Sequence, residues 1–202
     1  MTRVAHIIGN GDQAHLYNKE PKKGLKLTCN IAPFPVEGVY AFCIVDFKMM
    51  RSITVGEIDV PGEWILGYRP KIWMDQHPEF YMKRAHQIKE FFLDKPKYAP
   101  NYTAFNCGHM ATYYAIKKFK ADEIHMYGFD SIMDMNLRSS SDFYQVSPRD
   151  ANANIKLNGN WRPIWQGIFN EFTNVKFFIH HVHNNIKFST KDNVTIVVYP
   201  QK

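Results

Sequence analysis

Arg3-Val-Ala-His-Ile-Ile-Gly-Asn-Gly11 opens the chain. Much later come Cys107-Gly-His-Met-Ala-Thr-Tyr-Tyr-Ala-Ile-Lys-Lys-Phe119 and Glu123-Ile-His-Met-Tyr-Gly-Phe-Asp130. The first stretch is a short apolar run ending in a glycine turn, which reads as a buried strand. The second reads as a helix started at a glycine, followed by a strand that ends in Gly128 and Asp130. Together they define two places where a parallel sheet presents the carboxyl ends of its strands. A phosphorylated nucleoside is the ligand such an edge favours.

Outward from these stretches the pattern is α/β. Residues 3–9 form the first strand, and the segment from Gly11 to Leu16 begins a short helix. Lys19 to Lys26 contains Pro21 and Gly24 and is a loop. Leu25–Ile31 and Tyr40–Asp46 are the next strands, joined by the stiff Ala-Pro-Phe-Pro segment 32–35 and Gly38. Trp64–Met74 contains Gly67 and Pro70 and reads as a bent or edge strand. In Glu79–Leu93, Tyr81, Ala85, Ile88 and Phe92 share one helical face, so a helix is predicted there.

Residues 131–160 are rich in Ser, Asn, Asp and Arg and read as a long polar loop with the character of a lid. Trp161–Phe172 resumes as a helix with Pro163 in its first turn. Val175–Val182 and Val194–Tyr199 are the last strands, read as a closing antiparallel pair. The expectation is one Rossmann-like domain over residues 1–202, a mostly parallel sheet flanked by helices.

Bulk composition narrows the classes. The chain has 202 residues, 45% of them hydrophobic and 22% charged, the balance of a globular protein with a substantial core. No apolar run is long enough to span a bilayer. The N-terminus enters a strand at once, leaving no room for a signal peptide, so a cytoplasmic location is expected. Cys29, Cys43 and Cys107 lie far apart in sequence and predict neither a disulfide framework nor a metal pattern. The formal charge of +6 favours anionic partners, without a basic tail or a nucleic-acid module to choose among them.

Candidate site residues follow from the ends of strands. Gly9-Asn10-Gly11 lets backbone N–H groups approach a phosphate or ribose, although the third glycine of a dinucleotide fingerprint is missing. An ordinary turn is the competing reading. Asn30 and Asp46 end the next two strands, so a parallel sheet brings Asn10, Asn30 and Asp46 to one edge. Asn106-Cys107-Gly108-His109 starts a helix whose free N–H groups suit an anion, or are capped by Asn106. Asp130 is a carboxylate for sugar hydroxyls or a metal. In His180-His181-Val182-His183, no Cys, Asp or Glu completes a zinc set, and one histidine as a general base is the better reading.

This ordered set resembles a superfamily of nucleotide-using transferases. Its members include bacterial sialyltransferases that use CMP-sialic acid and archaeal-type 6-hydroxymethylpterin pyrophosphokinases. The resemblance covers roughly residues 3–50 and 103–132. It implies that Gly9, Asn10 and Gly11 meet the nucleotide phosphate or ribose, and that Asn30 holds the donor phosphate or reacting group. It further implies that Cys107 and Gly108 contact the nucleotide, and that Gly128, Phe129 and Asp130 border base and ribose. Two departures stand out. Asp12 and Gln13 follow the glycines where the sialyltransferases have proline and serine. Residues 138–160 contain no histidine, whereas those enzymes carry their catalytic one just before the helix that here begins at Trp161. The general base is then sought among Asp142, Asp150, His180 and His181, with Arg138 or Tyr144 neutralising the leaving phosphate.

Three functions are consistent with these residues. The first is a glycosyltransferase moving a sugar from a nucleotide-sugar donor to a hydroxyl acceptor. An anionic acceptor suits the charge, with a hydroxymethylated DNA base in a viral context as one example. The second is a pyrophosphoryl or nucleotidyl transferase with Mg²⁺ on Asp46 and Asp130; the first reading does not require Mg²⁺. The third is a non-catalytic nucleotide-binding module. The oligomeric state is not encoded in any of these features.

Overall fold

The sheet consists of β1 (Val4–Ile8), β2 (Leu25–Cys29), β3 (Ala41–Ile44), β4 (Trp64–Leu66), β5 (Ile88–Phe91), β6 (Glu123–Tyr127), β7 (Lys176–His181) and β8 (Val194–Val198). Its order is β5-β4-β3-β2-β1-β6-β7-β8, and every neighbouring pair is parallel. The structure, a computed structural model, describes residues 1–18, 22–32, 34–133, 151–184 and 192–201. Ile8 lies level with both Thr28 and Tyr127, so the carboxyl ends of the central strands form one rim. Growth of the sheet reverses between β1 and β6, which makes that seam the topological switch point.

The pleat divides the side chains between two faces. Ala5, Ile7, Leu27, Cys43, Ile124, Met126, Phe177 and Ile179 pack beneath α4 (Cys107–Lys117) and α6 (Ala151–Glu171) in the main core. Ile44, Trp64 and Leu66 point the other way, into a second core with Met49, Met50 and Ile53 of α1 (Phe47–Thr54) and Met74 of α2 (Tyr68–Gln76). Near the seam that second face carries a smaller cluster of Ile8, Tyr17 and Tyr127. Among the described residues, the 3-10 helix Asp12–Tyr17 is the one helical element packed on this face over β6 and β7.

Several expectations are corrected. The predicted strand Trp64–Met74 is β4 followed by α2. Gly67 is the N-cap of α2 and Pro70 its third residue, where the missing N–H has no helical partner to lose. The predicted helix Glu79–Leu93 divides into α3 (Pro78–Arg84), a 3-10 turn Ala85–Gln87 and β5. Gln87 is buried there and donates to the carbonyls of Val60 (3.1 Å) and Gly62 (2.9 Å). Pairing of Ile88–Phe91 with β4 outweighs the helical period. The polar segment 131–160 is not one loop: α5 (Asp130–Met133) and the first half of α6 lie within it, and Pro163 sits inside that helix.

Strands β7 and β8 are parallel, not an antiparallel pair, with Phe177 level with Val194. The buried Asn193 donates to Phe169 (3.0 Å) and Phe172 (3.2 Å) carbonyls, anchoring the start of β8 to the end of α6. The three cysteines, distant in sequence, converge: Cys29 and Cys43 are register partners, and all three are free and buried. Among the described residues no helix is long and apolar enough to cross a membrane.

Candidate functional site

The switch point brings together the residues that the sequence singled out, and closes over them. Gly9 N–H donates to the Tyr127 carbonyl (2.7 Å), and Gly11 N–H to the Gly128 carbonyl (2.8 Å). A Cβ on Gly11 would stand 2.6 Å from both Asp130 Oδ2 and Gly128 O, and one on Gly9 would stand 2.8 Å from Gly128 O. These glycines therefore allow two backbone segments to touch. Their N–H groups, which a phosphate cradle requires, are donated within the fold.

Asp130 is buried in the same seam. Its carboxylate accepts from Gln13 N–H at 3.1 Å and faces His181 Nε2 at 3.4 Å, with both side chains almost wholly enclosed. His181 Nδ1 accepts the N–H of His183 (2.9 Å), so the ring proton lies on Nε2, on the side of Asp130. The contact is too poorly aligned for a hydrogen bond, leaving Nε2 unsatisfied. Both ring nitrogens thus point into protein.

The start of α4 is likewise occupied. Asn106 Oδ1 accepts from His109 N–H (2.9 Å) and His109 Nδ1 accepts from Asn106 N–H (3.0 Å), a complete capping box. Burial lowers the His109 pKa to about 3, so the ring is neutral, its Nε2–H directed at the Trp161 carbonyl (3.2 Å). Gly108 is small because a Cβ would lie 2.3 Å from the Phe129 ring, which packs edge-on against Trp165. The Cys107 thiol is pushed up by burial and donates to Asn30 Oδ1 (3.2 Å). That protonated, enclosed sulfur is not a nucleophile as it stands.

Asn10, Asn30 and Asp46 do line one edge, at the ends of adjacent strands. Asn10 Nδ2 donates to the Ile31 carbonyl and ties the ends of β1 and β2 together. Asn30 holds a left-handed backbone (φ 54°), a conformation asparagine tolerates better than most residues. Its N–H donates to the Cys43 carbonyl (2.9 Å).

Asp46, two residues beyond β3, keeps its side chain partly exposed. Its carboxylate bonds Arg69 Nη2 at 2.6 Å, and the guanidinium lies 5.8 Å from the Phe47 ring. Asp46 and Gly67 are the N-caps of α1 and α2, and neither helix start has a side-chain cap. Arg69 Nε is buried without a partner. Beside it Tyr68 stacks on Tyr102, with centroids 4.3 Å apart and an interplanar angle of 17°. Val45, Gly67, Tyr68, Arg69, Phe92 and Asp94 line the indentation between them, whose volume of about 10 Å³ holds one water, so a larger ligand would lie over the rim rather than within it. This corner combines an Arg69–Asp46 ion pair, two helix starts without side-chain caps and an aromatic plate, and an anion joined to a planar or sugar group would have to compete with Asp46 for the guanidinium.

Arg69 was not a sequence candidate because the segment around it reads as a strand. Recognising Gly67 as an N-cap would have put Arg69 in the first turn of a helix at the rim. Arg138, Asp142, Tyr144 and Asp150 lie outside the described residues. Among those described, no group of three or more His, Cys, Asp or Glu is arranged to hold a metal ion. Asp46 and Asp130, the proposed Mg²⁺ ligands, are engaged with Arg69 and with Gln13 and His181 respectively. Their donor set does not fit Mg²⁺. Comparison of the chain with protein-family models, with curated proteins and with solved structures gave no match.

Proposed function

We propose that the protein is a transferase that takes a nucleotide-activated donor, in the simplest form a nucleotide sugar, and passes the sugar to a hydroxyl acceptor. The donor phosphate would sit at the Arg69 corner, with Asn30 and Asp46 along its flank and the Tyr68–Tyr102 pair beside the base or sugar. One observation carries this reading: parallel strands place Arg69 and the uncapped starts of α1 and α2 on one rim. Anionic leaving groups are stabilised by such N–H groups and by a guanidinium, whose donors stay charged throughout.

The engaged carboxylates favour sugar transfer over the Mg²⁺-dependent pyrophosphoryl alternative. The resemblance to nucleotide-using transferases points the same way. A thermal-shift series with CMP, UDP, GDP, ATP and NAD, each without added metal, identifies the base. Release of a nucleoside mono- or diphosphate from the corresponding nucleotide sugar on adding a hydroxyl acceptor supports transfer. Tight nucleotide binding without turnover would instead support a non-catalytic binding module. Duplex DNA as acceptor requires binding that weakens steeply with salt; no binding at low salt removes it.

A further inference from the structure

The two edges of the sheet differ in what they offer. β5 and β8 are the first and last strands of the order, so each leaves one row of backbone groups without a neighbouring strand. On β5 that edge carries charge: Lys89 pairs with Glu63, and Glu90 with Lys118 at 2.7 Å. Charged side chains on an edge strand discourage pairing with another chain. β8 reads Val194-Thr195-Ile196-Val197-Val198 and carries none.

The pairing of β8 with β7 decides which of its groups face outward. Phe177 N–H donates to the Asn193 carbonyl (2.8 Å), and Tyr199 N–H to the His181 carbonyl (2.9 Å). In a strand the N–H and C=O of one residue point to the same side, and successive residues alternate. Asn193, Thr195, Val197 and Tyr199 therefore face β7. Val194, Ile196 and Val198 turn their donors and acceptors to the open edge. The next outward residue is Pro200, which has no N–H, and at the other end Asp192 leaves the strand with a φ of 24°.

The outward row is Val-Ile-Val, the same in either direction. An antiparallel copy related by a two-fold axis through Ile196 sets Val194 opposite Val198 and Ile196 opposite its own equivalent. Every outward N–H then meets a carbonyl of the other chain. The side chains agree with this register. Val194 and Ile196 are partly buried against the main core, and Val198 stands 49% exposed at the end of the strand. Val194 of the second copy covers it. A shift by two residues sets Val194 against Pro200, or Val198 against Asp192, and loses donors or apolar cover.

We propose that β8 is the contact surface between two copies of this chain, joined antiparallel about Ile196 into one continuous sheet. A single strand pair is a small interface, so the dimer is weak, with a Kd on the order of 10 µM. β3 and β4, which end at the Arg69 corner, lie towards the opposite edge of the sheet. Each copy keeps its own corner, and the proposal does not rest on the transferase reading.

Sedimentation velocity of the full chain from about 1 to 200 µM tests it. The mass should rise from 23.7 kDa towards twice that value. Val198→Pro removes one outward N–H from each chain and no bond to β7, at an exposed edge position that accepts proline. It should weaken the dimer by about tenfold or more and keep the circular dichroism spectrum of wild type. A measurement without a variant stands beside it. Amide exchange followed by NMR should slow with concentration at Val194, Ile196 and Val198, and stay constant at Thr195 and Val197, whose N–H groups are already bonded to β7. A monomer at every concentration, an undiminished dimer in Val198→Pro, or concentration-dependent protection confined to other residues overturns the proposal.

Discussion

The two wings of one sheet face solve burial in different ways. Over β3 and β4, α1 and α2 cover Ile44, Trp64 and Leu66, and the contacts are apolar. Over β6 and β7 the same face carries His125, Tyr127, Phe178 and His180, stacked and hydrogen-bonded to one another. Chain direction explains the contrast. Right-handed crossovers put helices on one face while the sheet grows from β1 towards β5, and on the other while it grows from β6 towards β8. Among the described residues this wing is covered on this face by the 3-10 helix Asp12–Tyr17, and it carries rings whose polar atoms pair among themselves. Apolar packing needs a cover, whereas a paired polar face tolerates water at its margin.

The β3–β4 wing should show the largest response. Trp64→Ala removes a fully buried indole and its hydrogen bond to the Val60 carbonyl (2.9 Å), and should cost about 3–5 kcal/mol in urea unfolding. A loss below ~1 kcal/mol would show that α1 and α2 do not seal that face. At the seam between the wings, Gly11→Ala drives a methyl against Asp130 and the Gly128 carbonyl, and should cost about 2–3 kcal/mol. Unchanged stability would mean that the seam is open.

On the β6–β7 wing, His180→Phe keeps the stack on Tyr127 but leaves His125 Nδ1 and the Tyr199 hydroxyl without their partner. About 1–2 kcal/mol should be lost, less than at Trp64. The same wing should carry a pH signature. Desolvation lowers the pKa values of His6 and His180 from 6.5 to about 4. As pH falls the unfolded chain takes up these protons first, so their contribution is present above pH 6.5 and lost between 6.5 and 4. Urea midpoints of the His6→Gln, His180→Gln double variant should fall less over that window than those of wild type; parallel curves would contradict this. Smallest is Arg69→Ala, whose ion pair with the partly exposed Asp46 should contribute under ~1 kcal/mol to stability.

What the sequence made legible follows the same division. The apolar runs at Val4–Ile8, Leu25–Cys29 and Glu123–Tyr127 are central strands buried on both faces, so composition alone marks them. The edge is harder. Ile88–Phe91 carries the spacing of a helix, and only pairing with β4 makes it a strand. The edge formed by Asn10, Asn30 and Asp46 was readable because parallel strands must end together. Whether Gly11 faces a ligand or Asp130 was not, since it depends on the distance between segments far apart in the chain. The histidine ladder was hidden for the same reason: His6, His125 and His180 lie on separate strands, and register alone aligns them.

The most direct test of the functional reading is a nucleotide titration of wild type and Arg69→Ala, with the nucleotide that gives the largest thermal shift. Wild type should bind without added metal, and Arg69→Ala should bind about tenfold more weakly while losing no more than ~1 kcal/mol of stability in the absence of ligand. Equal affinity in the two proteins, or no binding of any nucleotide to wild type, would contradict a donor phosphate at the Arg69 corner.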